Sequence, residues 1–129
     1  MKGKISFKRY FILFLIAFVI IILFTIADYM IHSLSAEYAV PPYYFRNKII
    51  FGTLLGFAAL IFLGKLEVNY RYKALLLSAV ISALLQIRYY IEGYPAKFVF
   101  EFLFLHFIIL LVVSWIVLKF FNKVNKKWQ

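Results

Sequence analysis

Four long stretches of this sequence are almost entirely apolar, and short segments that hold charges, proline or glycine separate them. A helix needs about 20 apolar residues to cross a bilayer. The stretches reach or approach that length at residues 10–34, 45–64, 73–91 and 96–118. The sequence therefore predicts an all-α integral membrane protein, in which a four-transmembrane-helix bundle forms a single domain over residues 1–129.

Composition supports a membrane protein and excludes other classes. Of the 129 residues, 66% are hydrophobic, and mean hydropathy is +0.93, whereas globular domains are roughly half apolar. The net charge of +10 comes from basic residues that flank the apolar stretches. A nucleic-acid partner would need them gathered on one soluble surface, so that class is excluded. Cysteine is absent, which excludes disulfides and thiolate metal sites.

Two of the four stretches allow a second interpretation. The first is free of charge over residues 10–27, longer than the about 7–15 residues of a signal peptide's apolar region, which favours a span over a cleaved leader. The third is free of charge only over residues 74–87. It reaches spanning length if the side chain of Arg88 extends towards the lipid headgroups, and a re-entrant segment is the alternative.

The distribution of basic residues predicts the orientation of the helices. Lys and Arg are enriched in cytoplasmic loops. Four of the 15 basic residues fall on the side predicted to face outwards, namely Arg46, Lys48, Arg88 and Lys97. Eleven fall on the other side, namely Lys2, Lys4, Lys8, Arg9, Lys65, Arg71, Lys73, Lys119, Lys123, Lys126 and Lys127. Both termini are therefore predicted to be cytoplasmic in a cell-membrane protein, with Tyr38, Tyr43, Tyr44, Tyr89, Tyr90 and Tyr94 in an outer aromatic belt.

Ionisable residues inside the predicted spans are the candidates for function. Asp28 and His32 lie four residues apart on the first helix and so share a face. A carboxylate in hydrocarbon costs at least about 2.5 kcal/mol, so this face should point into the bundle. Gln86 and His106 lie at a similar depth on the third and fourth helices. The sequence predicts an outward-facing polar pocket formed by Asp28, His32, Gln86, Arg88, Glu101 and His106.

A metal site is the sharpest interpretation of this group. Imidazoles and carboxylates bind first-row metals, and Asp28, His32 and His106 supply one carboxylate and two imidazoles. No signature such as H-E-x-x-H supports it, and Glu101 lies about 140° around the helix from His106. No cofactor is predicted, with a divalent metal on those three residues as the alternative.

Three classes of function remain open. The interpretation we favour is a non-enzymatic binding or accessory protein that takes a lipid or other amphipathic ligand, with Arg46 or Arg88 meeting an acidic headgroup. The alternative is a metal- or proton-dependent membrane enzyme, or a small transporter that must oligomerise. In a purely structural interpretation, Asp28 and His32 are solvated near the interface or pair with Arg46 or Arg88, and His106 bonds to a serine or backbone carbonyl.

Small residues indicate where helices approach closely. Gly52 and Gly56 form a small-xxx-small pair on the second helix, suited to packing within the chain or against a partner or second copy. Ala74, Ser78, Ser82 and Gln86 recur every four residues on the third. The sequence predicts that Ser78 and Ser82 form a narrow edge with interhelical hydrogen bonds.

One partial resemblance concerns the third and fourth stretches. Residues 83–86 (Ala-Leu-Leu-Gln), then Gly93 and Glu101, are similar to the end of the VanZ-like membrane proteins, which are also short and four-spanning. The chain has Ala83 where that family usually carries an acid, and its second span lacks the Asp-Lys and the His that accompany it. The expectations above therefore rest on the residues alone.

Overall fold

The computed structural model describes residues 7–66 and 68–125, with the backbone alone for residues 123–125. It is all-helical and contains four long helices, each long and apolar enough to cross a membrane, which confirms that part of the prediction. The helices are α1 (Phe7–His32), α2 (Tyr43–Leu63), α3 (Tyr70–Ile91) and α4 (Ala96–Asn125), with a 3₁₀ helix at Ala36–Tyr38. Lys2, Lys4, Lys126 and Lys127, which enter the charge argument, lie outside the described residues, as does the Lys123 side chain.

Turn and capping residues set the helix boundaries. Pro41 and Pro42 lie immediately before α2. Proline has no amide hydrogen to donate, so a helix cannot continue through this pair from the preceding loop. Asn69 caps α3, its side-chain oxygen accepting hydrogen bonds from the Arg71 and Tyr72 amides. Gly93 has a φ of +88° in the turn between α3 and α4, a conformation that favours glycine.

Three of the four helices begin two or three residues earlier than the hydrophobic pattern indicates, because polar residues can continue a helix beyond the hydrocarbon, whereas α4 begins at the predicted residue 96. α1 starts at Phe7 and includes Lys8 and Arg9. α3 has 22 residues, a length of about 33 Å that suffices to span. The third stretch is therefore a continuous helix of spanning length, as the spanning interpretation requires.

The four helices pack as two antiparallel hairpins, α1 with α2 and α3 with α4, joined mainly where α1 meets α4. One end of the bundle carries the two loops at residues 33–42 and 92–95, and we call it the double-loop end. The other end carries the start of α1, the end of α4 and the α2–α3 connection, and we call it the termini end. The large apolar core fills the termini end and the middle, including Ile20, Leu77 and Leu110.

Gly52 and Gly56 both face α1 of the same chain. A Cβ on Gly52 would lie 3.2 Å from Ile21, and one on Gly56 would lie 3.4 Å from Ala17. The absence of side chains lets the backbones of α1 and α2 approach closely. The pair is therefore used within the chain.

The serine edge of α3 is buried, but its hydrogen bonds differ from the prediction. Ser78 Oγ donates to the Ala74 carbonyl and Ser82 Oγ to the Ser78 carbonyl, both at 2.7 Å within α3. A helical serine reaches the carbonyl four residues earlier without any help from a neighbouring helix. The expected interhelical bonds of Ser78 and Ser82 are thus replaced by bonds within their own helix.

Candidate functional site

Polar side chains from all four helices meet between the apolar core and the aromatic packing at the double-loop end. We call this group the polar cluster, and it comprises Asp28, His32, Lys48, Gln86, Tyr89 and His106. Asp28 and His106 are 0% exposed, and none of the six exceeds 4%. Burial of this kind is costly unless every polar atom finds a partner, so the hydrogen bonds of the cluster define what it can do.

Asp28 is the centre of the cluster. Its Oδ2 accepts a hydrogen bond from Lys48 Nζ, so a carboxylate on α1 pairs with an ammonium on α2. Its Oδ1 lies 2.8 Å from His106 Nε2 and 3.3 Å from His32 Nε2. Lys48 Nζ also donates to Tyr89 Oη at 2.6 Å. Asp28 therefore ties α1 to α2 and α4, and Lys48 extends the network to α3.

Hydrogen-bond chemistry determines which nitrogen of His106 carries a proton. Gln86 Nε2 donates to the Val99 carbonyl at 2.5 Å, which turns Gln86 Oε1 towards His106 Nδ1 at 2.7 Å. A carbonyl oxygen only accepts, so His106 Nδ1 must be the donor. His106 Nε2 then faces Asp28 Oδ1, and this contact requires a proton between the two atoms or a cation bound by both.

His32 is oriented in a similar way. Its Nδ1 donates to the Tyr38 backbone carbonyl at 2.5 Å, and its Nε2 lies 3.4 Å from Tyr89 Oη. Since Tyr89 Oη accepts from Lys48, its own proton is available for His32 Nε2. The ring stacks on Phe102, with centroids 4.2 Å apart. His32 thus joins the polar cluster to the double-loop end.

The polar cluster contains the three predicted metal ligands. Ligand atoms of Asp28, His32 and His106 lie within 4.8 Å of one another. Both histidines donate Nδ1–H to a carbonyl oxygen, an arrangement that orients imidazoles in metal sites. Lys48 opposes a metal, because its ammonium already neutralises Asp28 and would repel a second cation.

A groove of about 120 Å³ opens at the double-loop end, and we call it the outer groove. It is lined by Glu37, Tyr38, Tyr94, Pro95, Lys97, Phe98, Glu101 and Phe102. Burial raises the pKa of the Tyr94 phenol, and the negative charge of Glu92 acts in the same direction. Tyr94 therefore stays neutral, and the charged groups of the lining are two carboxylates and one ammonium.

The floor of the outer groove is fixed by the polar cluster beneath it. Phe102 packs on the His32 ring, and Phe98 packs on Phe102 at 4.6 Å between centroids. Tyr38, whose carbonyl holds His32 Nδ1, packs edge-on against Phe102 at 5.6 Å. The two sites therefore share one wall of aromatic rings.

The structure brings four of the six predicted pocket residues together and separates two. Asp28, His32, Gln86 and His106 lie in the polar cluster. Arg88 lies 3.7 Å from Glu92, at the double-loop end, and Glu101 lines the outer groove. These six side chains do not form one open pocket in the described structure, because burial separates an enclosed cluster from the groove. The outward orientation stays a prediction. Neither predicted arginine holds Asp28, since Lys48 does.

Sequence reasoning missed Lys48 and Tyr89. It treated Lys48 as an orientation signal and Tyr89 as part of the outer aromatic belt, yet they are 4% and 1% exposed. The signal for Lys48 was its position inside the predicted span 45–64, because an intramembrane lysine needs a counter-ion. Asp28 lies at the matching depth on the preceding helix.

No protein-family model, curated protein or solved structure matches this chain. The partial resemblance to VanZ-like proteins accordingly gains no support from these comparisons. The polar cluster and the outer groove are the two features that bear on function.

Proposed function

We propose that this protein is a non-enzymatic membrane protein that binds a lipid or similar amphipathic ligand in the outer groove. The observation that carries the proposal is a groove that combines aromatic walls with charged residues at the end of a bundle of membrane-spanning length. Amphipathic ligands need such a surface, because one part of the molecule is apolar and the other is charged.

The orientation we propose places both termini in the cytoplasm and the double-loop end outside. Eleven of the 15 basic residues belong to the termini end by sequence, which is the distribution expected of cytoplasmic segments. The outer groove would then meet ligands from the outer leaflet or the outer aqueous phase.

The polar cluster supports the groove by preorganising it. Hydrogen bonds among Asp28, Lys48 and Tyr89 connect the first three helices, and His32 transmits that order to Phe102. A binding site that is rigid before the ligand arrives loses less entropy on binding. The cluster is thus a positioning element and need not touch the ligand.

Binding explains the distribution of polar groups better than transport does. Between the polar cluster and the termini end, the buried side chains of the described residues are apolar except for hydroxyls such as Thr53, Ser78 and Ser114. A proton or ion pathway would require ionisable or hydrated groups through this half of the bundle. The polar groups instead belong to one half, as expected for a site with access from one side.

Native mass spectrometry of gently extracted protein tests the proposal. We expect about one lipid retained per chain, and rebinding of lipid after delipidation. Non-stoichiometric lipid that detergent removes in a graded manner, together with failure to rebind, would exclude a lipid site.

A second candidate function is a bound metal ion or proton at the polar cluster. The contact of 2.8 Å between His106 Nε2 and Asp28 Oδ1 favours it, because a positive centre must lie between these atoms. Elemental analysis after exposure to Zn²⁺ or Co²⁺ tests the metal. One metal per chain, lost in Asp28→Asn/His106→Ala, would establish it, whereas no stoichiometric metal in the wild type would leave a proton as the occupant.

A further inference from the structure

The charges that line the outer groove have both signs. Glu37 and Glu101 contribute carboxylates, and Lys97 contributes an ammonium. Glu37 belongs to the 3₁₀ helix, whereas Lys97 and Glu101 lie in the first turns of α4. A ligand that carries both a cation and an anion can pair with lining groups of both signs.

Four of the eight residues that line the groove are aromatic, namely Tyr38, Tyr94, Phe98 and Phe102. Tyr94 stacks on Phe98 at 4.8 Å between centroids, and Phe98 adjoins Phe102. Tyr38 stands edge-on to Phe102 and also lines the groove. Aromatic faces attract cations, and quaternary ammonium groups are commonly recognised by several rings beside an acid.

A quaternary ammonium fits this surface better than a primary ammonium. A trimethylammonium group has no N–H donors, so rings can surround it without leaving a hydrogen bond unmade. A primary ammonium loses its hydration among rings and must find acceptors for three N–H groups. The lining of this groove is mostly apolar, and it includes the two acidic residues Glu37 and Glu101.

The lysine suits the anionic part of the same ligand. Lys97 is exposed at the start of α4, and an ammonium is a good partner for phosphate oxygens. The groove is therefore complementary to a zwitterion in which a phosphate and a quaternary ammonium are joined by a short linker.

We propose that the outer groove binds the phosphocholine headgroup of a lipid, with the trimethylammonium among Tyr38, Tyr94 and Phe98 beside Glu37 and Glu101, and the phosphate near Lys97. The acyl chains would lie in the surrounding bilayer. This inference rests on the proposed function, because it names the class of lipid that the groove selects.

Lipid competition by native mass spectrometry tests the inference. Delipidated protein is titrated with four lipids of equal chain length, bearing phosphocholine, phosphoethanolamine, phosphoglycerol or no headgroup (diacylglycerol). We expect the phosphocholine lipid to bind about tenfold tighter than the others, equivalent to about 1.4 kcal/mol. The variant Glu37→Gln/Glu101→Gln should lose that preference while keeping its fold.

The matched control is Glu92→Gln, since Glu92 is an acid of the same end that does not line the groove. It should keep the preference. If all four lipids bind equally well, or the Glu37→Gln/Glu101→Gln variant keeps the full preference, the headgroup assignment is wrong while lipid binding stands. If none of the four lipids binds stoichiometrically, the proposed function fails as well.

Discussion

Asp28 and Lys48 form an ion pair that the fold has removed almost completely from solvent, with exposures of 0% and 4%. Such a pair does not necessarily add stability relative to apolar residues, because both ions lose their hydration. Removing one partner does destabilise the protein, since the other charge then remains buried without a counter-ion. The pair therefore acts most strongly as a constraint on how α1 and α2 are aligned.

Asp28→Asn should destabilise the protein by about 3–5 kcal/mol, because it leaves the Lys48 ammonium without a counter-ion. The double variant Asp28→Asn/Lys48→Met should recover much of this loss. Denaturant unfolding in detergent measures both.

The matched control for this pair is Arg88→Gln, which removes the partly exposed ion pair with Glu92. It should change the free energy of unfolding by no more than about 1 kcal/mol. An effect of Asp28→Asn as small as that of Arg88→Gln would contradict a buried ion pair.

At the residue scale, the sequence predicts which side chains belong to the cluster better than it predicts which of them pair with one another. Asp28, His32, Gln86 and His106 were accessible to prediction because polar residues on apolar helices must face inwards. The angle between Glu101 and His106 also indicated correctly that the two point to different places. The pairing of Asp28 with Lys48 instead of Arg88 depends on how α2 packs against α1, which helical periodicity does not determine.

At the scale of the helices, the contact between α1 and α2 depends on two glycines, and the space for an added side chain differs between them. A Cβ at Gly52 would be 3.2 Å from two Ile21 side-chain atoms, which requires a small shift, whereas the 3.4 Å contact at Gly56 is ordinary. Helix number, order and approximate bounds followed from hydrophobicity. The sequence did not predict that both glycines pack against a helix of the same chain, since the same motif also serves contacts between chains.

Gly56→Ala should therefore be neutral or stabilising by up to about 1 kcal/mol, because alanine favours the helix. Gly52→Ala should be less stable than Gly56→Ala, and Gly52→Leu should separate α1 from α2 and lower the unfolding temperature most. Thermal unfolding of the three variants in one detergent checks this order. An unfolding temperature of Gly52→Leu as high as that of Gly56→Ala would show that α1 does not pack there.

At the scale of the whole molecule, polar chemistry is concentrated in the half of the bundle next to the double-loop end. The termini end has an apolar core and most of the basic residues. Hydrophobicity and charge predict this asymmetry from the sequence alone. The enclosure of the cluster and the shape of the groove depend on the loops at residues 33–42 and 92–95, whose path the sequence does not specify.

Cysteine labelling tests the proposed orientation, and the chain has no cysteine of its own. Ala39→Cys and Val68→Cys place thiols at exposed positions on opposite ends of the bundle. In intact cells, an impermeant maleimide should label Ala39→Cys, and Val68→Cys only after lysis. The reverse labelling pattern would show that the groove faces the cytoplasm.

The central claim is that the outer groove holds a lipid, and photo-crosslinking tests it most directly. A lipid with a photoactivatable headgroup is irradiated with the protein in bilayers, and the crosslinked peptides are mapped by mass spectrometry. We expect saturable crosslinks to Tyr94, Lys97 and Phe98, which unlabelled lipid competes away. Crosslinks spread over exposed residues of both ends, such as Tyr72 and Tyr90, without competition would contradict it.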